Sequence, residues 1–95
     1  MYYVLRPGVV KTKICGVFLL IPDRKASEIC PRIQRLNLIT ALTLEVLEKR
    51  EPIENAYRNY TYLSRKTMDE AKEKIDGILD DLCKKGYLIC EENEP

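Results

Sequence analysis

A chain of 95 residues and 11.1 kDa, with no Trp, one Phe, six Tyr and 45% apolar residues, fits one compact domain and excludes a second. Folding at this size removes only about 60–65% of the unfolded surface from water, which gives a modest core and leaves too little to enclose a large active-site cavity. Sixteen Lys and Arg against fifteen Asp and Glu leave a net charge of +1, which argues against a protein whose main task is neutralising a phosphate backbone. The charge is polarised along the chain. Residues 1–50 hold nine basic and four acidic side chains, a net +5, and residues 51–95 hold seven basic and eleven acidic ones, a net −4.

From Tyr2 to Val10 the residues favour extended structure around the turn signal Arg6-Pro7-Gly8, which predicts a short strand or arm. The apolar run ICGVFLLI at 14–21, closed by Pro22-Asp23-Arg24-Lys25, predicts a central strand, and its eight residues are too few to cross about 30 Å of hydrocarbon. Over residues 26–36, Ile29, Pro31 and Ile33 share one parity and Glu28, Cys30, Arg32 and Gln34 the other, which predicts a half-exposed strand. Pro31 has no N–H to donate and assigns that strand to the sheet edge.

At Asn37 the period changes. LNLITALTLEVL at 36–47 predicts a buried first helix. Pro52 suits the first turn of a second helix, in which Ile53, Ala56, Tyr57 and Tyr60 recur at helical spacing up to a frayed end near Tyr62. A third helix starts at the capping box of Thr67 with Glu70, carries an apolar stripe of Met68, Ala71, Ile75, Ile78, Leu79 and Leu82, and ends at Lys84-Lys85-Gly86. Leu88, Ile89 and Cys90 form a final short strand, so that residues 1–90 are the domain and EENEP at 91–95 a solvated acidic tail. The predicted fold is α+β of winged helix-turn-helix type, a three-stranded antiparallel sheet followed by three helices.

The residue inventory excludes most chemistry. There is no His, no G-x-S-x-G, no Gly-rich phosphate loop and only four Gly, so catalysis is not expected. Cys15, Cys30, Cys83 and Cys90 contain no C-x2–4-C pair, which argues for ordinary thiols without a metal or a cofactor. Asp76, Asp80 and Asp81 are read as a solvated polar helix face. MYYVLRPG lacks the features of a signal peptide, which predicts a cytoplasmic chain with no membrane partner.

Winged helices serve either nucleic acid or peptides. Between Asp69 and Lys85 the third helix carries six acidic and four basic side chains, a net −2 that repels a phosphate backbone, so no nucleic acid is expected. A winged-helix transcriptional regulator, contacting nucleic acid through Arg58 to Lys66 with Tyr60 and Tyr62, is the alternative. The edge strand favours a peptide instead. Ile29, Ile33 and Arg35 would turn their backbone groups outward, Met68, Lys72, Ile75 and Leu79 with Cys83 beyond would wall a groove beside them, and Arg32, Arg35 and Lys72 would favour a peptide with apolar and acidic side chains. The candidate peptide-binding set is Ile29, Cys30, Pro31, Arg32, Ile33, Gln34 and Arg35 with Met68, Lys72, Ile75 and Leu79.

Two stretches carry a family likeness. Leu36-Asn37 opens the first helix ahead of Ala41, Leu44 and Leu47, and DGILDDLCKKGYLI at 76–89 combines Leu82 with Lys85-Gly86-Tyr87-Leu88. On these residues, and over nearly its full length, the chain resembles the PqqD-like family of RiPP recognition elements, small domains that serve ribosomally made, modified peptides. It departs from that pattern at Lys49-Arg50, where an Asp-Gly is common. The resemblance implies a non-catalytic adaptor that takes the leader of a precursor peptide as an extra strand beside residues 29–35. It implies a separate modifying enzyme, a radical S-adenosylmethionine maturase, that itself holds the iron–sulfur cluster.

Overall fold

The computed structural model describes residues 2–30 and 32–91 as a small α+β domain with two sheets and three helices. Pro31 and the tail residues 92–95 lie outside the described residues, and with them the strand-edge role expected of Pro31. Strand β1 (Tyr2–Leu5) is followed by β2 (Val9–Ile14) and β3 (Val17–Pro22). Strand β4 (Gln34–Leu36) leads into α1 (Leu38–Glu48), α2 (Glu54–Ser64), α3 (Met68–Lys84) and the closing strand β5 (Leu88–Glu91). One antiparallel sheet has the order β2-β3-β4, and β1 pairs with β5 in a separate two-stranded ribbon. No helix among the described residues is long and apolar enough to cross a membrane.

Two expectations about the strands are corrected. The run 14–21 is not one strand: Ile14 ends β2 and Val17 begins β3, with Cys15 at φ 51° and Gly16 at φ 78° between them. Two successive positive φ values make the two-residue hairpin turn whose twist matches its strands. The expected strand over 26–36 shrinks to Gln34–Leu36, because Ala26–Glu28 forms a single 3-10 turn. The Asp23 carboxylate accepts from the Ala26 N–H at 2.8 Å, and the Cys30 N–H donates to the Ala26 carbonyl at 2.9 Å. These local bonds outcompete a ladder, and they bury Ala26 and Cys30, four residues apart, where alternation would have buried every second residue.

The helices follow their sequence signals. Asn37 caps α1 by accepting from the Thr40 N–H at 2.8 Å, and the buried Thr43 hydroxyl is satisfied by donating to the Ile39 carbonyl at 2.8 Å. Helix α2 continues past Tyr62 to Ser64, where Arg65 closes it in the left-handed conformation. Thr67 caps α3 through the Glu70 N–H, and Ala71, Ile75, Leu79 and Leu82 form its buried stripe. That stripe meets Leu44 and Val46 of α1, Ala56 and Tyr57 of α2, and Val9, Leu20 and Leu36 of the three-stranded sheet in one core.

Helices α2 and α3 are also joined by a polar bond, in which the Tyr57 hydroxyl donates to Asp76 Oδ1 at 2.9 Å. Burial first, and then the bond to Asp76, push the Tyr57 phenol up to about 12 from the ordinary 10.0. A folded value above the unfolded one gives stability that is intact below pH 10 and lost as the pH rises through 12. We expect Tyr57→Phe to cost about 1 kcal/mol at neutral pH and to flatten the loss of stability across that alkaline window, read as urea midpoints in a pH series. Parallel curves for the two proteins would show that Tyr57 is not the titrating group.

Candidate functional site

The open edge of β4 is defined by the register. In a two-residue hairpin the residues flanking the turn exchange both backbone bonds, so Ile14 and Val17 are a bonded pair and the alternation assigns Val17, Leu19 and Ile21 to β2. Phe18 and Leu20 therefore bond β4, through Leu36 and Gln34. Arg35, opposite Leu19, is left with its N–H and C=O on the outer side, and among the described residues no strand pairs there. One of these groups is already covered, since Gln34 Nε2 donates to the Arg35 carbonyl at 3.0 Å. A side-chain amide on an edge carbonyl is a local shield that a peptide N–H would replace with the same chemistry.

Beside this edge lies a depression of about 470 Å³ lined by Cys30, Arg32, Ile33, Gln34, Lys85 and Tyr87. Its wall is built by the chain reversal after α3. Gly86 has φ 90°, and a Cβ there would stand 2.9 Å from Ile29 Cγ2, so a side chain would be both strained and obstructed. The reversal sends Tyr87 under the segment before β4, where its hydroxyl donates to the Arg32 carbonyl. Burial, with Cys30 nearby, pushes the Tyr87 phenol up against the opposing pull of Lys85 and Arg32, so it stays a neutral donor. Arg32 and Arg35 are exposed, Ile33 is 60% exposed, and Lys85 pairs with Asp81 at 3.0 Å. The edge thus offers backbone groups, an apolar side chain and cationic heads together.

The residues expected at this site divide. Arg32, Ile33, Gln34 and Arg35 stand at the edge, while Cys30 is buried under it and Ile29 is exposed against Gly86. Ile75 and Leu79 are 0% exposed and belong to the core, so they offer a peptide no surface. Met68 and Lys72 are exposed on the N-terminal half of α3 and do not line this depression. Lys85 and Tyr87 do line it. Sequence reasoning missed them because it placed the wall on the helix stripe; the signal was Gly86, which ends α3 and turns the next residues back.

A larger depression of about 770 Å³ includes Tyr3, Tyr57, Asp76, Asp80, Cys83 and Cys90 in its lining. Its carboxylates are engaged, Asp76 by Tyr57 and Asp80 by Lys84 at 3.0 Å. Burial first, and then Cys90 and Asp80, push the Cys83 thiol up, away from the nucleophilic thiolate. The Asp76, Asp80 and Asp81 face is exposed, as its sequence implied, and is tied to its own neighbours.

Loss of the Tyr87 hydroxyl should release the segment before β4. We expect Tyr87→Phe to cost about 0.5–1.5 kcal/mol and to speed hydrogen–deuterium exchange at residues 32–36. Unchanged exchange there would mean that this bond does not hold the edge. Compared with protein-family models, with curated proteins and with solved structures, the chain finds no match.

Proposed function

We propose that this domain is a RiPP recognition element of the PqqD-like kind. It acts as a non-catalytic adaptor that binds the leader of a ribosomally made precursor peptide as a strand added to β4 and presents it to a separate radical S-adenosylmethionine maturase. The observation that carries this reading is the unpaired edge of β4 beside the depression formed by Arg32, Ile33, Gln34, Lys85 and Tyr87. Strand addition draws affinity from backbone bonds and specificity from alternate side chains, and this edge has groups for both. The architecture is compatible with it at the level of class, a small α+β domain in which the β2-β3-β4 meander comes ahead of α1, α2 and α3. The extra β1–β5 ribbon is an addition to that plan.

In this reading the binding set moves. Arg32, Ile33, Gln34 and Arg35 keep the edge, Lys85 and Tyr87 replace the middle of α3 as its wall, and Ile75 and Leu79 support it from the core. Arg32 and Arg35 select a leader with acidic residues, and Ile33 between them selects an apolar one. The outward groups of α3 disfavour a phosphate backbone, because Asp80 and Asp81 neutralise Lys84 and Lys85.

The test is an amide NMR titration with a synthetic leader of a short precursor encoded beside this chain. Shifts are expected at residues 32–36 and 85–88, and N-methylation of the peptide should weaken binding about 2- to 10-fold at every second residue only. Affinity should change little with salt, whereas a nucleic-acid regulator making six phosphate contacts would lose about 10³-fold between 50 and 200 mM. Indifference to N-methylation at every position would overturn strand addition. Oligonucleotide shifts at Arg58 to Lys66, with none from the peptide, would replace the adaptor with the regulator.

A further inference from the structure

The β2-β3-β4 sheet has a second face that the helices do not use. Residues directly across a ladder share a face, and Val9, Leu20 and Leu36, all of one parity in the register, are buried in the core with Phe18 half-buried beside them. Lys11, of the same parity, reaches α1 through Glu48 at 3.5 Å. The opposite parity therefore turns away from the helices. It presents Val10 and Ile14 of β2, 58% and 51% exposed, and Val17, Leu19 and Ile21 of β3, half-buried. An antiparallel sheet with one solvated face ordinarily carries polar side chains there. This one carries five aliphatic groups, an apolar patch on the order of 400 Å², the size at which such patches mark interaction sites.

Only two polar side chains interrupt it, and their positions are informative. Thr12 of β2 and Arg35 of β4 both lie opposite Leu19, so the three form one row across the sheet with the polar groups on either side of the central strand. We propose that a second copy of this chain docks on this face, the two sheets packing about 10 Å apart around a twofold axis that runs along β3. Such an axis reverses strand order and keeps the rows. β2 of each copy then lies over β4 of the other, Leu19 meets Leu19, and each Arg35 guanidinium donates to the Thr12 hydroxyl of the opposite copy. The face's only charge thus gains a hydrogen-bond acceptor instead of being buried against carbon. An axis across the strands would instead bring β4 onto β4 and the two Arg35 together. The positions of Thr12 and Arg35 make the face complementary to itself in one orientation, and that is why the occupant is a second copy.

Two patches of this size bury about half of a standard interface of roughly 1,600 Å², so the dimer is weak and exchanges rapidly, with a dissociation constant on the order of 100 µM. The dimer needs no peptide; it takes the Arg35 guanidinium that the proposed function offers to a leader, so Arg35→Glu is read on the dimer without peptide, while Val10 and Ile14 lie on β2 outside the leader set and keep the two tests separate.

Sedimentation equilibrium of the protein alone, from about 20 µM to about 1 mM, reads the association directly. The weight-average mass should rise from 11.1 kDa towards twice that value. Val10→Asp with Ile14→Asp should hold it at the monomer, with the fold verified by unchanged amide shifts in the helices. Arg35→Glu should weaken the dimer about 10-fold, and adding Thr12→Arg should restore it by exchanging the partners of the pair. A wild type still monomeric at 1 mM, or association that survives Val10→Asp with Ile14→Asp, would overturn the interface. Failure of Thr12→Arg to rescue Arg35→Glu would overturn the twofold along β3.

Discussion

The stripe of Ala71, Ile75, Leu79 and Leu82 on α3 can be covered only once, and the rest of the molecule is arranged by what covers it. One face of the three-stranded sheet, α1 and α2 all bury their apolar side chains in the same core. Ile75 and Leu79 at 0% exposure leave no room for a further strand along the middle of the helix. Under the proposed function, an incoming peptide is therefore met where the helix stops. There Gly86 reverses the chain, Tyr87 passes beneath the segment before β4, and β5 returns to pair with β1. One residue without a side chain thereby closes the ribbon and builds one wall of the depression at the sheet edge.

The sheet divides its surfaces by parity and by edge. One parity is spent on the core through Val9, Leu20 and Leu36. The other faces outward and is apolar on β2 and β3. The two edges differ in protection: β2 carries Lys11 and Lys13 where its backbone groups point out, while β4 has the Gln34 amide over the Arg35 carbonyl. A lysine keeps a strand away through charge and solvation, whereas a side-chain amide can be displaced without leaving an unmet bond. Under the proposed function, the chemical difference between the edges favours β4 for strand addition.

Charge supports the same division of labour. Three acidic side chains of α3 are engaged locally, Asp80 and Asp81 by Lys84 and Lys85 and Asp76 by the Tyr57 hydroxyl. These exposed i,i+4 pairs contribute little stability, but they occupy Lys84 and Lys85 with carboxylates. The cations of the first half, Arg32 and Arg35, are exposed at the β4 edge, where an acidic peptide strand would meet them.

The sequence by itself determined the helices, because their signals are local. Asn37 and Thr67 cap through bonds to residues three positions on, and the 3.6-residue period identified the apolar stripe of α3. It also determined that the strands come ahead of the three helices and that the apolar run supplies the central strand, but not that four strands precede α1 or that a hairpin turn divides the run at Cys15-Gly16. Alternation over residues 26–36 misled, since Asp23 and Ala26 offered the backbone nearer hydrogen-bond partners than a distant strand could. Arg32 to Arg35 were legible at the edge, but Lys85 and Tyr87 were not, because a helical period says which side chains are apolar and not which neighbour will cover them. Tertiary structure alone decided that Ile75 and Leu79 face the core, that β5 pairs with β1, and that one apolar sheet face is left open. Each of those outcomes depends on residues far apart in the chain competing for a limited buried surface, and no local pattern records which of them wins.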